Sequence, residues 1–229
     1  MTTTPTVLLF DVDGTLLDTG RAGRNAIERA FDAAHGRPDA TQHIRFSGMT
    51  DHRIIGLGLE AIGLPDHHDA RDHVLSLYLT FLEEEVAASP RYRVMPAVHD
   101  LLADLANRPH LAIGLGTGNL ERGARTKLAR ADLNRWFSFG GFGCDHILRH
   151  ELLAAGARRG ADALGRPLHD CRVVIIGDTP LDVRAAHDIG ATCLAVATGT
   201  FSAHELTDAG ADHTADDLSQ PWILDALLP

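Results

Sequence analysis

The feature that most constrains this chain is a regular alternation of short, solidly apolar runs with helical segments. Residues 6–10, 111–115, 172–176 and 192–197 are apolar at nearly every position. A strand that is apolar on both sides is buried on both faces, which happens in parallel sheets covered by helices. Helical patterns fill the intervals at 97–107, 120–133, 145–164 and 181–189. Pro96 suits the first turn of one of them, and Gly190 closes another. Residues 136–139 read as a further short strand before a glycine-rich turn, and 212–214 as a last edge strand. The expected fold is therefore α/β, with a Rossmann-like parallel sheet. Ligands in such sheets bind beyond the C-terminal ends of the strands.

Residues 20–90 interrupt this scheme with helices only. Ala22, Ala26, Ile27, Ala30, Phe31 and Ala34 recur at helical spacing, and Gly36 and Pro38 then stop the pattern. Thr50-Asp51 can open a second helix that runs to about Ile62. A third places Val74, Leu75, Tyr78, Phe81, Leu82 and Val86 on one face. The expected organisation is a core built from residues 1–18 and 91–229, with a helical insert at 19–90. A chain of 229 residues with 45% hydrophobic content has room for one such domain and needs no disulfide framework. Its three cysteines, Cys144, Cys171 and Cys193, form no CxxC pair.

Charge narrows the partners. The net charge of −10 excludes a generic nucleic-acid binder, which needs a positive field. No apolar stretch reaches the roughly 18 residues of a membrane span, and the N-terminal apolar run ends too soon for a signal peptide. A cytoplasmic location is expected. The fourteen histidines scatter without metal-ligand spacing.

Polar residues gather where the strands end. Asp11 and Asp13 follow the first, Thr117 the second, and Asp178 and Asp182 the fourth. Asp11 and Asp13 are two apart and project toward one region. Carboxylates meeting there would repel one another without a cation, and hard oxygen ligands favour Mg²⁺. Taken singly, Asp11 and Asp13 could be turn formers, Thr117 a helix cap and Asp182 a first-turn acid. An apolar strand running straight into two acids argues against the turn reading.

Four ordered segments carry a resemblance to the haloacid dehalogenase-like superfamily. They are Asp11-Val12-Asp13-Gly14-Thr15-Leu16, then Thr117, then a basic residue, then Gly177-Asp178-Thr179-Pro180-Leu181-Asp182. The resemblance implies that Asp11 is the nucleophile and Asp13 the general acid, then the base. It implies that Thr117, with Gly118 beside it, and a basic residue bind phosphate. It also implies that Asp11, Asp13 (through its backbone carbonyl) and Asp178 hold Mg²⁺, with Asp182 in support. The usual lysine of the third segment is missing; Arg149, 29 positions before Asp178, takes its place. Lys127 is the rival, but it follows Thr117 too soon and falls within a helix.

The helical insert after the first motif is similar to the caps of the phosphoglycolate phosphatase and β-phosphoglucomutase group. The implied function is Mg²⁺-dependent hydrolysis of a small phosphorylated metabolite, with phosphoglycolate one candidate. A mutase is the alternative within the group. A phosphoryl-accepting receiver domain and a binding-only relative are the non-enzymatic ones. The second aspartate argues against a dehalogenase, and the absence of lysine from 20–90 against a Schiff-base phosphonatase. Arg53, Thr50 and Arg21 are the insert residues expected to meet the substrate, Arg53 through a carboxylate.

Overall fold

The computed structural model describes residues 4–228; Met1–Thr3 and Pro229, at the two ends of the expected core, lie outside the described residues. Six strands form one sheet: β1 (Thr6–Phe10), β4 (Leu111–Gly116), β5 (Gly140–Gly141), β6 (Arg172–Gly177), β7 (Thr192–Val196) and β8 (His213–Ala215). Their order is β5-β4-β1-β6-β7-β8, and every pairing is parallel. β1 lies at the centre, with Phe10 level with Leu115 and Ile176 on its two neighbours. The strands carrying the acids and the threonine thus end side by side.

The alternation along β1 explains its uniform apolarity. Leu8 and Phe10 enter one core with α4 (Val98–Ala106), α5 (Glu121–Ala129) and α9 (Ile223–Leu227). Val7 and Leu9 enter the other with α6 (Arg149–Ala163), α7 (Pro180–Asp188) and α8 (Ala203–Asp208). Both faces are covered, as a continuous apolar run requires.

The insert holds α1 (Ala22–His35), α2 (Asp51–Ala61) and α3 (His68–Ala88), which share a core of their own around Phe31, Ile55, Leu59, Tyr78 and Leu82. Gly36 ends α1 in the left-handed region, at φ 64°, where its N–H reaches the Asp32 and Phe31 carbonyls. The two connections to the insert are not free linkers. β2 (Leu17–Asp18) and β3 (Arg93–Val94) pair antiparallel, and the Ser89 hydroxyl donates to the Thr19 carbonyl at 2.7 Å. This ribbon seats the insert above the strand ends.

One expected element is displaced. Residues 136–139 are not a strand: Leu133–Trp136 forms a 3₁₀ turn, and the pairing to β4 is made by Gly140 and Gly141. A side chain at Gly141 would collide with the backbone of α6 at Leu152, so the edge of the sheet needs glycine where a turn was expected. Among the described residues, no helix is long and apolar enough to cross a membrane.

Candidate active site

The fold delivers its polar residues to one end of the sheet. Asp11 sits just past β1, with its N–H donating to the Ile176 carbonyl at 2.8 Å. Asp178 follows β6, and Asp182 lies in the first turn of α7. Oxygens of these three buried carboxylates lie within 4.8 Å of one another. Their backbones leave little slack. Gly14 adopts φ 85°, and a side chain there would strike the Asp178 carboxylate, so the turn after Asp13 admits only glycine.

Arg149 is the counter-charge. It opens α6 and is 9% exposed. Its Nη2 stands 3.1 Å from Asp11 Oδ2, and its Nε and Nη2 donate to Asp182 Oδ1 at 2.9 and 2.5 Å. Asp182 is fully occupied: Oδ2 accepts from the N–H and hydroxyl of Thr179, the residue it caps reciprocally at the start of α7. It therefore orients Arg149 and leaves Asp11 and Asp178 as the carboxylates with free oxygen valence.

Burial pushes the Asp11 carboxyl up to about 6; Arg149 opposes this, and Asp182 and Asp13 reinforce it. Asp178 is raised well above the usual carboxylate range, by burial and then by Asp11 and Asp182. Burial lowers the Arg149 guanidinium, but the surrounding carboxylates outweigh it and the net direction is up. A site with more carboxylate than counter-charge is suited to a cation, and Asp11 and Asp178 offer it the hard oxygens of a Mg²⁺ site.

Thr117 is fully buried and lines the cavity beneath the insert, and its hydroxyl accepts from the Asn119 side-chain amide at 2.8 Å. Gly118 joins the insert to this loop: its carbonyl accepts from the Asp51 N–H at 2.9 Å, and a side chain on it would run into the Met49 carbonyl. Arg149 Nη1 likewise donates to the insert, to the Gly48 carbonyl at 3.2 Å. Between insert and core lies a cavity of about 1020 Å³, with Asp11, Asp13, Thr117, Arg149 and Asp178 in its wall.

The insert residues divide. Arg21 lines the cavity, with an exposed side chain. Thr50 is buried and structural: its hydroxyl donates to the Ile147 carbonyl and accepts from the Arg53 N–H. Arg53 is exposed and absent from the cavity wall. Residues two positions apart on a helix are separated by about 200°, so Asp51, which bonds the core at the Leu120 N–H, turns Arg53 outward. The expected carboxylate contact at Arg53 is withdrawn.

Three residues were missed or set aside. Lys127 reaches the site from within α5, and its Nζ lies 2.6 Å from Asp13 Oδ2. Asn119 donates to the same oxygen at 2.8 Å. Asp51, 5% exposed, accepts from the Leu120 N–H at 2.8 Å. A signal for Lys127 was present: it shares the buried stripe of α5 with Gly123, Ala124 and Leu128, and a lysine there needs a partner.

Buried acids, a buried arginine and a walled cavity at the strand ends of a parallel sheet together define an enzyme site rather than a structural ion-pair cluster. A model of the haloacid dehalogenase-like hydrolase family matches residues 5–190, and the chain belongs to that family. Several solved structures share the fold. One is a hydrolase from Pseudomonas syringae, with 23% identity, 97% of this chain and 96% of that chain covered, and a TM-score of 0.68. Another is described as a predicted phosphatase, from Clostridium acetobutylicum, with 17% identity, 94% and 95% coverage and a TM-score of 0.70. A third is described as a predicted phosphoglycolate phosphatase, from Haemophilus somnus, with 18% identity, 99% coverage of both chains and a TM-score of 0.69. No curated protein matches the chain.

Proposed function

We propose that this hydrolase is a Mg²⁺-dependent phosphatase acting on a small phosphorylated metabolite through an aspartyl-phosphate on Asp11. The observation that carries the reading is the convergence of Asp11, Asp178, Thr117 and Arg149 beneath the helical insert. Asp11 Oδ attacks phosphorus, and the bond from phosphorus to the leaving oxygen breaks. Asp13 gives that oxygen a proton. It then takes one from the water that attacks the aspartyl-phosphate, so that phosphate leaves and Asp11 is regenerated. Asp11, Asp178 and the Asp13 carbonyl would hold Mg²⁺, which when bound neutralises charge on the phosphoryl group. Arg149 orients Asp11, and Arg149 and Thr117 receive phosphoryl oxygens. The insert acts as a cap that keeps bulk water from the site, and the cavity accepts a metabolite but not a folded phosphoprotein.

The test is release of inorganic phosphate from a panel of phosphorylated metabolites, phosphoglycolate included, with Mg²⁺ present. Turnover of at least one member is expected. No release from any member, nor from p-nitrophenyl phosphate, would overturn the reading.

Arg149 supplies a second expectation. A lost charge-assisted hydrogen bond is worth about 1.5–3 kcal/mol, so Arg149→Ala should lower kcat/KM by roughly 10- to 100-fold. Arg149→Lys should recover part of the loss, since it keeps the charge but not the fork. Equal activity in all three proteins, measured on the best substrate, would remove Arg149 from the site.

A further inference from the structure

We propose that Lys127 is a positioning residue for Asp13, holding one carboxylate oxygen so that the other faces the leaving group. The inference rests on the phosphatase reading and on the role given there to Asp13. Lys127 Nζ donates to Asp13 Oδ2 and to Asn119 Oδ1, each at 2.6 Å. Asn119 Nδ2 donates to the same Asp13 Oδ2 and to Thr117 Oγ1, both at 2.8 Å. Lys127, Asn119 and Asp13 thus close a ring that ties the second aspartate to the loop carrying Thr117. Both donors converge on Oδ2; among the described residues no donor meets Oδ1, and Asp13 lines the cavity.

The arrangement answers a physical need. The Asp13 side chain is 42% exposed, so packing restrains it only in part. The Lys127 side chain is only 6% exposed, and its backbone is anchored where the Tyr92 hydroxyl donates to its carbonyl at 2.8 Å. A buried donor therefore holds a half-exposed acid. A lysine on the buried face of α5 gives up hydration, and the partners that replace it are Asp13 and Asn119. The Lys127 charge also acts on Asp51 of the insert: burial pushes that carboxyl up to about 6, and Lys127 opposes the rise.

Loss of the positioning donor predicts a dependence on the leaving group. p-Nitrophenolate departs without a proton, whereas an alkoxide needs one. The readout is kcat/KM, which covers only the steps up to departure of the leaving group, so the later use of Asp13 as a base does not enter it. Lys127→Met should lower kcat/KM for glycerol 2-phosphate by about 10²-fold, the cost of misplacing a catalytic group. It should change p-nitrophenyl phosphate less than about 3-fold, with phenyl phosphate between the two. Lys127→Arg should recover part of the loss on glycerol 2-phosphate. The ratio of the two kcat/KM values on one sample is independent of the fraction folded, so a destabilised variant still gives the answer. Asp13→Asn run in parallel separates the two levels of failure. If Asp13→Asn shows no leaving-group dependence, the role of Asp13 is wrong. If Asp13→Asn shows it and Lys127→Met loses both substrates equally, or neither, the positioning role of Lys127 is overturned.

Discussion

Asp11→Asn should lower phosphate release by at least about 10³-fold while the protein remains folded. The loss follows from removing a covalent nucleophile, whose contribution other groups in the site cannot replace. Asparagine matches the shape of aspartate and can still accept from Arg149, so the local geometry has no reason to collapse. The buried Asp11 carboxyl is pushed up to about 6, which means that its ionisation is resisted by the fold. Neutralising it should therefore not lower the Tm. Circular dichroism and thermal unfolding establish folding, and phosphate release with the best substrate gives the rate. A folded Asp11→Asn protein with near-normal turnover would remove the nucleophile from the mechanism.

What could be read from the sequence was what depends on local pattern. The apolar runs at 6–10 and 172–176 mark strands because each residue is buried on one face of the sheet or the other. Thr50 marks the start of α2 because its hydroxyl accepts from the Arg53 N–H, a contact three residues long. Arg149 could be placed because its distance along the chain from Asp178 is set by one helix and one strand, α6 and β6. What depends on distant contacts was not legible. Lys127 and Asp13 are 114 residues apart, and their meeting requires α5 to pack beside the turn after β1. Asp51 reaches the Leu120 N–H only because the insert lies on the loop of Thr117. Arg53 shows the converse. It belonged to a suggestive stretch, but helix phase decides which of its residues face the site, and that phase was fixed by Asp51. The ribbon of β2 and β3 escaped because each strand has two residues, too few for a periodic signal.

Removal of the cation should abolish turnover and reveal the repulsion between Asp11 and Asp178 as a stability effect. EDTA should stop phosphate release and Mg²⁺ should restore it; Ca²⁺ should restore little, because its looser and higher coordination disturbs in-line attack. The stability of the metal-free protein follows from the pKa directions. Asp11 rises from 3.8 to about 6 on folding, and Asp178 rises as well. Between these limits the folded state holds protons that the unfolded chain has released, so stability must fall as pH rises from about 4 to above 6. Asp51, also raised to about 6, adds to the same slope. Each pKa unit is worth about 1.4 kcal/mol, and 1 kcal/mol moves the Tm of a chain this size by roughly 2–4 °C. At pH 7.5, metal-free Asp178→Asn should therefore unfold several degrees above the metal-free wild type, while losing turnover. The substituted side chain keeps an oxygen for the Thr15 hydroxyl, which donates to Asp178 Oδ1 at 3.4 Å, so no contact is sacrificed. Mg²⁺ should raise the Tm of the wild type and shift the variant far less. If metal-free Asp178→Asn unfolds below the wild type, the carboxylates are not in conflict in the folded protein and the case for a cation between them fails; if EDTA-treated protein keeps full activity, the metal has no part in the reaction.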